Sequence, residues 1–401
     1  MNLPFWGLIS YVWFFFFSPA ELYPFLAPLR LALVIPIITF ISVLFSKKNK
    51  IFISSETILL ILFFFLCLIS ILGSRYFDTA IEVFPHVYKT LFLFFLIIMV
   101  LDDEKSIKRF IWIILIFITY DNMQSIYAYH KRLLGYRFAS SNVGGGIGSD
   151  PNSYSMHMLM VIPFTLILIK YEASFLKKAF LIFSFLSYSY CFTRALSRGA
   201  MIASGAVFLQ LLIIQRKNFK FLILILILLA FLAYKTPGSF LERFDTITGN
   251  EGEADHSIRG RLLALEDGIA LVKKNPFVGV GIGAFRDARA ELGKWGGDSN
   301  ERFIAHNTYM EIAAETGVMS LFIFIVIIST VLKGSLKSEK FFRESKYLYL
   351  EGITQALRIG LIGFLIASIF LSQQYSRFFY IFIGTLTSLK FIRKRIVESK
   401  I

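Results

Sequence analysis

The chain has 401 residues, 56% of them hydrophobic and 17% aromatic, with 45 phenylalanines. A water-soluble domain cannot bury that much apolar surface, so the composition excludes a soluble enzyme and points to an all-α polytopic membrane protein. The formal charge of +15 invites a nucleic-acid partner, but its placement along the chain argues for no nucleic acid.

A membrane-crossing helix needs about 20 apolar residues. About twelve spans are expected, near 4–20, 27–46, 54–73, 80–101, 108–129, 153–170, 175–194, 198–214, 218–234, 307–332, 352–372 and 376–391. Pro4, Pro19 and Pro24 break up the first. It lacks a basic leader and a small-residue cleavage site, so it reads as a retained helix. The whole chain, 1–401, is expected to form a single membrane domain.

Basic residues cluster after every second span. Lys47, Lys48 and Lys50 follow the second; Lys105, Lys108 and Arg109 the fourth; Lys170, Lys177 and Lys178 the sixth. Arg216, Lys217 and Lys220 follow the eighth, Lys333, Lys337, Lys340, Arg343 and Lys346 the tenth, and Arg393, Lys394 and Arg395 the twelfth. Cytoplasmic loops carry such an excess, so both termini are expected in the cytoplasm and the odd-numbered connections outside. Lys131-Arg132 is the clearest exception.

Two outer connections are long. One runs from His130 to Asn152, with Gly144-Gly145-Gly146 before Asp150-Pro151-Asn152. The other, 235–306, is expected to be a large periplasmic loop containing helices. One helix there has Ser257 as a plausible N-cap, an apolar stripe of Leu262, Leu263, Ile269 and Val272, and a stop at Lys273-Lys274-Asn275-Pro276.

The stretch 274–318 concentrates polar residues in an otherwise greasy chain. Gly279-Val280-Gly281-Ile282-Gly283 lacks the strand and the Lys-Ser/Thr of a nucleotide loop, and reads as a tight turn that lets backbones approach. Its backbone N–H groups are candidates to help hold an anion. Arg194 and Arg198 stand one turn apart at the outer rim, where snorkelling alone is a poor explanation. Arg259 and Arg261 fall near the expected start of the loop helix, where the positive dipole end calls for an anion, and a guanidinium fork suits phosphate oxygens. Arg286 and Arg289 are explained as well by a solvated helix face.

His306 differs from the other histidines by its place at a loop-to-helix junction, which suits a general base. His86 and His157 lie in spans and are expected to be satisfied core residues, and His130 and His256 sit in loops without context. Glu311 and Glu315 are placed to orient a partner or to bond arginine. Cys67 and Cys191 read as packed thiols. No ligand spacing supports a metal, and no cofactor is expected.

Ser197-Arg198-Gly199, Gly260-Arg261, Asn275-Pro276-Phe277-Val278-Gly279-Val280-Gly281, His306-Asn307-x-Tyr309 and Glu315-x-Gly317 together resemble the O-antigen ligase and polymerase superfamily of bacterial envelope glycan assembly. The resemblance is strong over 190–330 and extends more weakly through Asp150-Pro151-Asn152 to most of the chain. It departs at Leu265, where members often carry Trp.

The resemblance implies a metal-independent glycosyltransferase of the membrane-embedded GT-C type in the bacterial inner membrane, with its site facing the periplasm. The donor would be a glycan on undecaprenyl diphosphate. The acceptor would be lipid A-core in a ligase or another glycan chain in a polymerase. Carried onto this chain, Arg198 and Arg261, with Arg194 and Arg259, would hold the diphosphate, and His306 would activate the acceptor for inverting transfer. Asn307, Glu315, Gly279, Gly281, Asp150 and Asn152 would support them. A non-catalytic exporter of lipid-linked glycan is the other class considered, but it calls for a polar path through several spans, and these spans are mostly Phe, Leu and Ile.

Overall fold

The computed structural model describes residues 3–19, 23–46, 53–131, 133, 138–140, 150–216, 223, 252–292 and 304–399, with backbone alone for 252–259. The described residues form helices and no strands. In order these are α1 (Leu3–Phe17), a 3-10 segment (Pro24–Leu29), α2 (Leu31–Leu44), α3 (Ser55–Leu72), α4 (Phe77–Val100), α5 (Glu104–His130), α6 (Pro151–Tyr171) and α7 (Phe175–Arg194). There follow α8 (Arg198–Gln215), α9 (Gly252–Lys274), α10 (Phe285–Ala290), α11 (Thr308–Thr316), α12 (Val318–Glu344), α13 (Leu348–Ala367) and α14 (Arg377–Glu398).

Short polar residues set the starts. Ser54, Asp103, Asp150 and Ser197 each accept a hydrogen bond from the backbone of the first turn of α3, α5, α6 and α8. Each such cap satisfies an amide that the helix itself cannot. Eight helices among the described residues are long and apolar enough to cross a membrane: the Pro24–Leu44 unit, α3, α4, α5, α6, α8, α12 and α13. α1 is shorter, at 15 residues. α7 and α14 coincide with expected spans but are not among the eight. The ninth expected span, 218–234, lies outside the described residues save for residue 223.

α6 and α13 form the centre and are buried along most of their length. α7 and α8 flank α6, while α12 and α14 pack beside α13. Gly360 allows the central contact, since a Cβ there would lie 2.2 Å from the Met160 carbonyl oxygen. Lipid tails give helices no hydrophobic reason to associate, so close fit of this kind holds the bundle.

The tenth and eleventh expected spans need correction. The stretch 307–332 is two helices, broken at Gly317, which has φ +87° and would place a Cβ 2.2 Å from Phe277 O. α12 then runs to Glu344, so Lys333, Lys337, Lys340 and Arg343 ride on a helix rather than in a loop. α13 ends at Ala367, so 368–372 is loop.

One end of the bundle is stitched by ion pairs. Glu339 accepts from Arg343 at 2.7 Å and from Arg358, and Arg343 also reaches Glu351 at 2.7 Å. Lys390 meets Glu56 at 2.8 Å and Arg395 meets Asp102 at 3.1 Å. The other end carries His306.

Candidate functional site

At the His306 end, the loop 368–376 joins the chain start of α6 to that of α11. Thr308 donates its backbone N–H to Ser368 O at 2.9 Å and its hydroxyl to Leu371 O at 2.6 Å. Gln373 donates its backbone N–H to Thr308 Oγ1 at 2.9 Å and its side-chain amide to Ser153 Oγ at 2.7 Å. Ser153 in turn is bound through both N and Oγ by the Asp150 cap, at 2.8 and 2.9 Å. Asn152 donates to the other Asp150 oxygen at 3.2 Å.

His306 sits on this clamp. It is a non-glycine residue at φ 50°. Left-handed backbone costs a side-chain-bearing residue about 1–3 kcal/mol and persists where the surroundings dictate it. Asn307, immediately after, is the cap of α11, its Oδ1 accepting from Tyr309 N and Met310 N, both at 3.0 Å. His306 is half-buried, and its Nδ1 is buried with no hydrogen-bond partner among the described residues.

Burial pushes the His306 proton affinity below that of an ordinary imidazole, and the nearby Arg261 guanidinium lowers it further. Asp150 opposes them, and Arg286 and Arg289 add smaller lowering effects. The fold has thus brought His306, Arg261, Asp150 and Arg286 into one electrostatic neighbourhood. Four separate segments contribute: α9, α10, the start of α6 and the junction before α11. A neutral imidazole with one unpartnered nitrogen can take a proton from a hydroxyl, and the cations beside it favour an anion.

The arginines arrive differently from expectation. α9 begins by Gly252, so Ser257 is not its cap and Arg261 stands about two turns inside the helix. The helix-dipole reason for an anion at Arg259 and Arg261 therefore fails, and proximity to His306 replaces it for Arg261. The side chain of Arg259 lies outside the described residues. The buried face of α9 is Ala264, Asp267, Gly268 and Leu271, while Leu262 and Ile269 are exposed. The small residues decide this, because a Cβ on Gly268 would sit 2.6 Å from Met310. Leu265 is half-buried. Arg289 is buried and pairs with Asp267 at 2.8 Å, so it braces α10 on α9 instead of lying on a solvated face. Arg286 is the exposed one.

Arg198 occupies the first position of α8, and its neighbour Gly199 packs so closely on Phe370 that a Cβ would lie 2.8 Å away. Arg198 therefore borders the same 368–376 loop that clamps Thr308. Leu196, two residues before it, is another left-handed residue, at φ 53°. Arg194 stacks on Tyr190 at 5.5 Å. No direct contact between Arg198 and His306 is seen among the described residues.

The glycine turn is a packing device. A Cβ on Gly279 would meet the Glu315 carbonyl at 2.3 Å. Its N–H groups are already committed: Gly279 N to Asn275 O, Val280 N to Ala314 O and Gly281 N to Glu315 O, at 3.1, 2.9 and 3.0 Å. The turn docks α11, and its amides do not serve an anion in this conformation. Glu315 reinforces the dock by accepting from Phe285 N at 3.4 Å. Burial raises the proton affinity of both Glu311 and Glu315, and the charge of Glu311 raises Glu315 further.

Sequence reasoning missed Gln373, Gln374, which donates to Glu315 Oε2 at 3.5 Å, and Ser372, which with Gln374 faces the Glu311 carboxyl. Their signal is a polar run, Ser368 to Ser376, which the expected spans 352–372 and 376–391 overlap at both ends. The other histidines divide. His157 bonds Ser376 Oγ at 3.1 Å and stacks on Phe378, as expected of a satisfied core residue. His130 bonds Tyr190 at 3.1 Å. His86 is exposed on α4 and lines a cavity, contrary to expectation. Only the backbone of His256 is described. Cys67 and Cys191 are buried and free.

Two family models match the chain: one described as O-antigen ligase over residues 179–325, the other a family of unknown function over residues 1–173. A similar curated protein is the exopolysaccharide production protein ExoQ of Rhizobium meliloti (strain 1021), 33% identical over 98 residues. That match covers 23% of this chain and 22% of the relative's own length. The O-antigen ligase match includes Arg194, Arg198, Arg261, His306 and Glu315, and with the exopolysaccharide relative it supports assigning this chain to the O-antigen ligase and polymerase superfamily.

Proposed function

We propose that the chain is a membrane glycosyltransferase that moves a glycan from undecaprenyl diphosphate to an acceptor hydroxyl. The observation that carries this is the convergence of Arg261, Asp150 and Arg286 on a His306 of lowered basicity, within the segment matched to O-antigen ligase. In the proposed step, His306 takes the acceptor hydroxyl proton while the oxygen attacks the anomeric carbon. The bond to the diphosphate breaks in the same displacement, with inversion, and Arg198 and Arg261 hold the departing diphosphate. Arg194 and Arg259 are assigned to the same anion site on the family resemblance alone. The scheme needs no metal or cofactor.

We place the site at the periplasmic face of the inner membrane, in a GT-C-like single domain of about twelve spans with both termini cytoplasmic, from the alternating basic loops. Single cysteines at Lys274 and Lys337, both exposed, test this with an impermeant thiol reagent. The native thiols are buried and should stay silent. Labelling at Lys337 but not at Lys274, in cells with a permeabilised outer membrane, reverses the topology.

Ligase-type transfer to lipid A-core is the first reading. The relative named for exopolysaccharide production favours a second, polymerisation of lipid-linked repeat units. Reconstitution with a purified lipid-linked donor and each acceptor separates them. His306→Ala should lower transfer by about 10²–10⁴, the usual cost of a lost general base. Undiminished transfer by that variant removes the mechanism, and transport without transfer in the wild type restores the exporter.

A further inference from the structure

A second site lies at the His306 end of the bundle, between α1, α2, α4 and α14. A cavity of about 230 Å³ is lined by His86, Lys89 and Thr90 of α4, by Arg377 at the start of α14, and by Ser18 and Phe15. A second cavity, about 240 Å³, is lined by Leu33, Pro36, Ile37, Phe64, Phe92 and Phe95. The two share Ala32 and Lys89. No described carboxylate lines either one.

Ionisable groups inside a span are costly and are ordinarily paired with an opposite charge. Neither Lys89 nor His86 has an ion-pair partner among the described residues. Lys89 stands twelve residues into α4, about 18 Å along its axis. Helical side chains lean toward the N-terminus, so Lys89 reaches back toward the end where α14 begins. Tyr11 donates its hydroxyl to Lys89 O at 3.1 Å, which fixes that turn of α4 against α1. Arg377 is held at the rim by donating to Phe15 O at 2.7 Å and by lying 4.7 Å over the Phe15 ring. Cationic groups therefore stand at the rim, and the apolar cavity continues deeper along α4. An anionic amphiphile has that same order of parts.

We propose that these cavities bind one anionic phospholipid, its phosphate on Arg377, Lys89 and His86 and one acyl chain among Pro36, Ile37 and Phe92. The site is separate from Arg198, Arg261 and His306 and does not rest on the glycan-transfer reading. Arginine and lysine supply charge-assisted hydrogen bonds to phosphate, and Ser18 adds a hydroxyl at the cavity wall.

Native mass spectrometry of the full-length purified protein tests this, with phosphatidylglycerol and phosphatidylcholine of matched chains added in turn. The wild type should retain phosphatidylglycerol about tenfold better than phosphatidylcholine, the worth of roughly one charge-assisted hydrogen bond. Lys89→Gln should remove that preference and Lys89→Arg should keep it. Ala32→Trp, which fills the junction without touching a charge, should weaken both lipids. Inorganic phosphate, which has the anion without the chain, should displace neither. Equal retention of the two lipids by the wild type overturns the proposal, even if a variant fails to fold. So does undiminished phosphatidylglycerol binding in folded Lys89→Gln or Ala32→Trp, or displacement by inorganic phosphate.

Discussion

Among the charged groups around His306, the Arg261 guanidinium has the largest effect on the imidazole, though the two residues come from α9 and from the junction before α11. The pair makes the proposed base and the proposed anion site electrostatically dependent on one another. Burial first and Arg261 next lower the proton affinity of His306, and a diphosphate bound at Arg261 would offset the arginine's share as the acceptor is activated.

The first prediction follows in sign. A base works deprotonated, so activity falls as pH drops through the His306 pKa, which lies below the ordinary value of about 6.5. Arg261→Gln removes a lowering influence, so the acid limb of kcat/KM should move to higher pH, besides any loss of rate. Arg286→Gln should move it in the same direction by less. An acid limb that stays in place in Arg261→Gln would disconnect Arg261 from the base.

Arg198→Lys keeps a positive charge and loses the planar fork. Transfer should drop by about tenfold, the size of one charge-assisted hydrogen bond. The variant should melt like the wild type, because the α8 cap is the Ser197 side chain and not Arg198. Wild-type transfer by Arg198→Lys would put the diphosphate elsewhere.

Burial of Glu315 and the charge of Glu311 both resist its ionisation and favour its neutral form. A neutral isostere is then a fair substitute: Glu315→Gln should leave the melting temperature nearly unchanged, because the amide oxygen can still accept from Phe285 N. Glu315→Leu leaves that buried N–H unpaired and should cost about 1–3 kcal/mol. Gln and Leu variants of equal stability would show that the carboxyl is not a structural acceptor.

Gly279 tests the dock of α11. At φ +73° and with the Glu315 backbone 2.3 Å from an added Cβ, Gly279→Ala should destabilise the protein by more than the roughly 1–2 kcal/mol of left-handed strain alone. Gly205 meets nothing within 4 Å of an added Cβ, so Gly205→Ala is the matched control and should be neutral or mildly stabilising. Thermal unfolding in detergent reads both. A tolerated Gly279→Ala would mean that the turn moves away from α11 with ease.

Helix positions were legible because burial in lipid demands long apolar runs and because Ser54, Asp103, Asp150 and Ser197 announce helix starts locally. The break at Gly317 and the loop after Ala367 were not, since apolar residues on both sides hide a discontinuity that depends on what the backbone touches. His306 could be singled out by its junction. Its neighbours could not, because Asp150, Arg261 and Arg286 lie far apart in the chain and no spacing rule links them. Arg289 and Arg286 look alike in sequence, yet one is buried against Asp267 and the other is exposed.

The sequence by itself determined the class of the molecule, the approximate run of its helices and the residue types available at one end, because solvent preference and capping are properties of short segments. Tertiary structure alone decided that Arg261 acts on His306 more than Arg286 or Arg289 does, that the glycine amides serve packing rather than an anion, and that His86 and Lys89 of α4 line one cavity with Arg377 of α14. Charges and close contacts act through space over a few ångströms, and only the packed chain sets those distances.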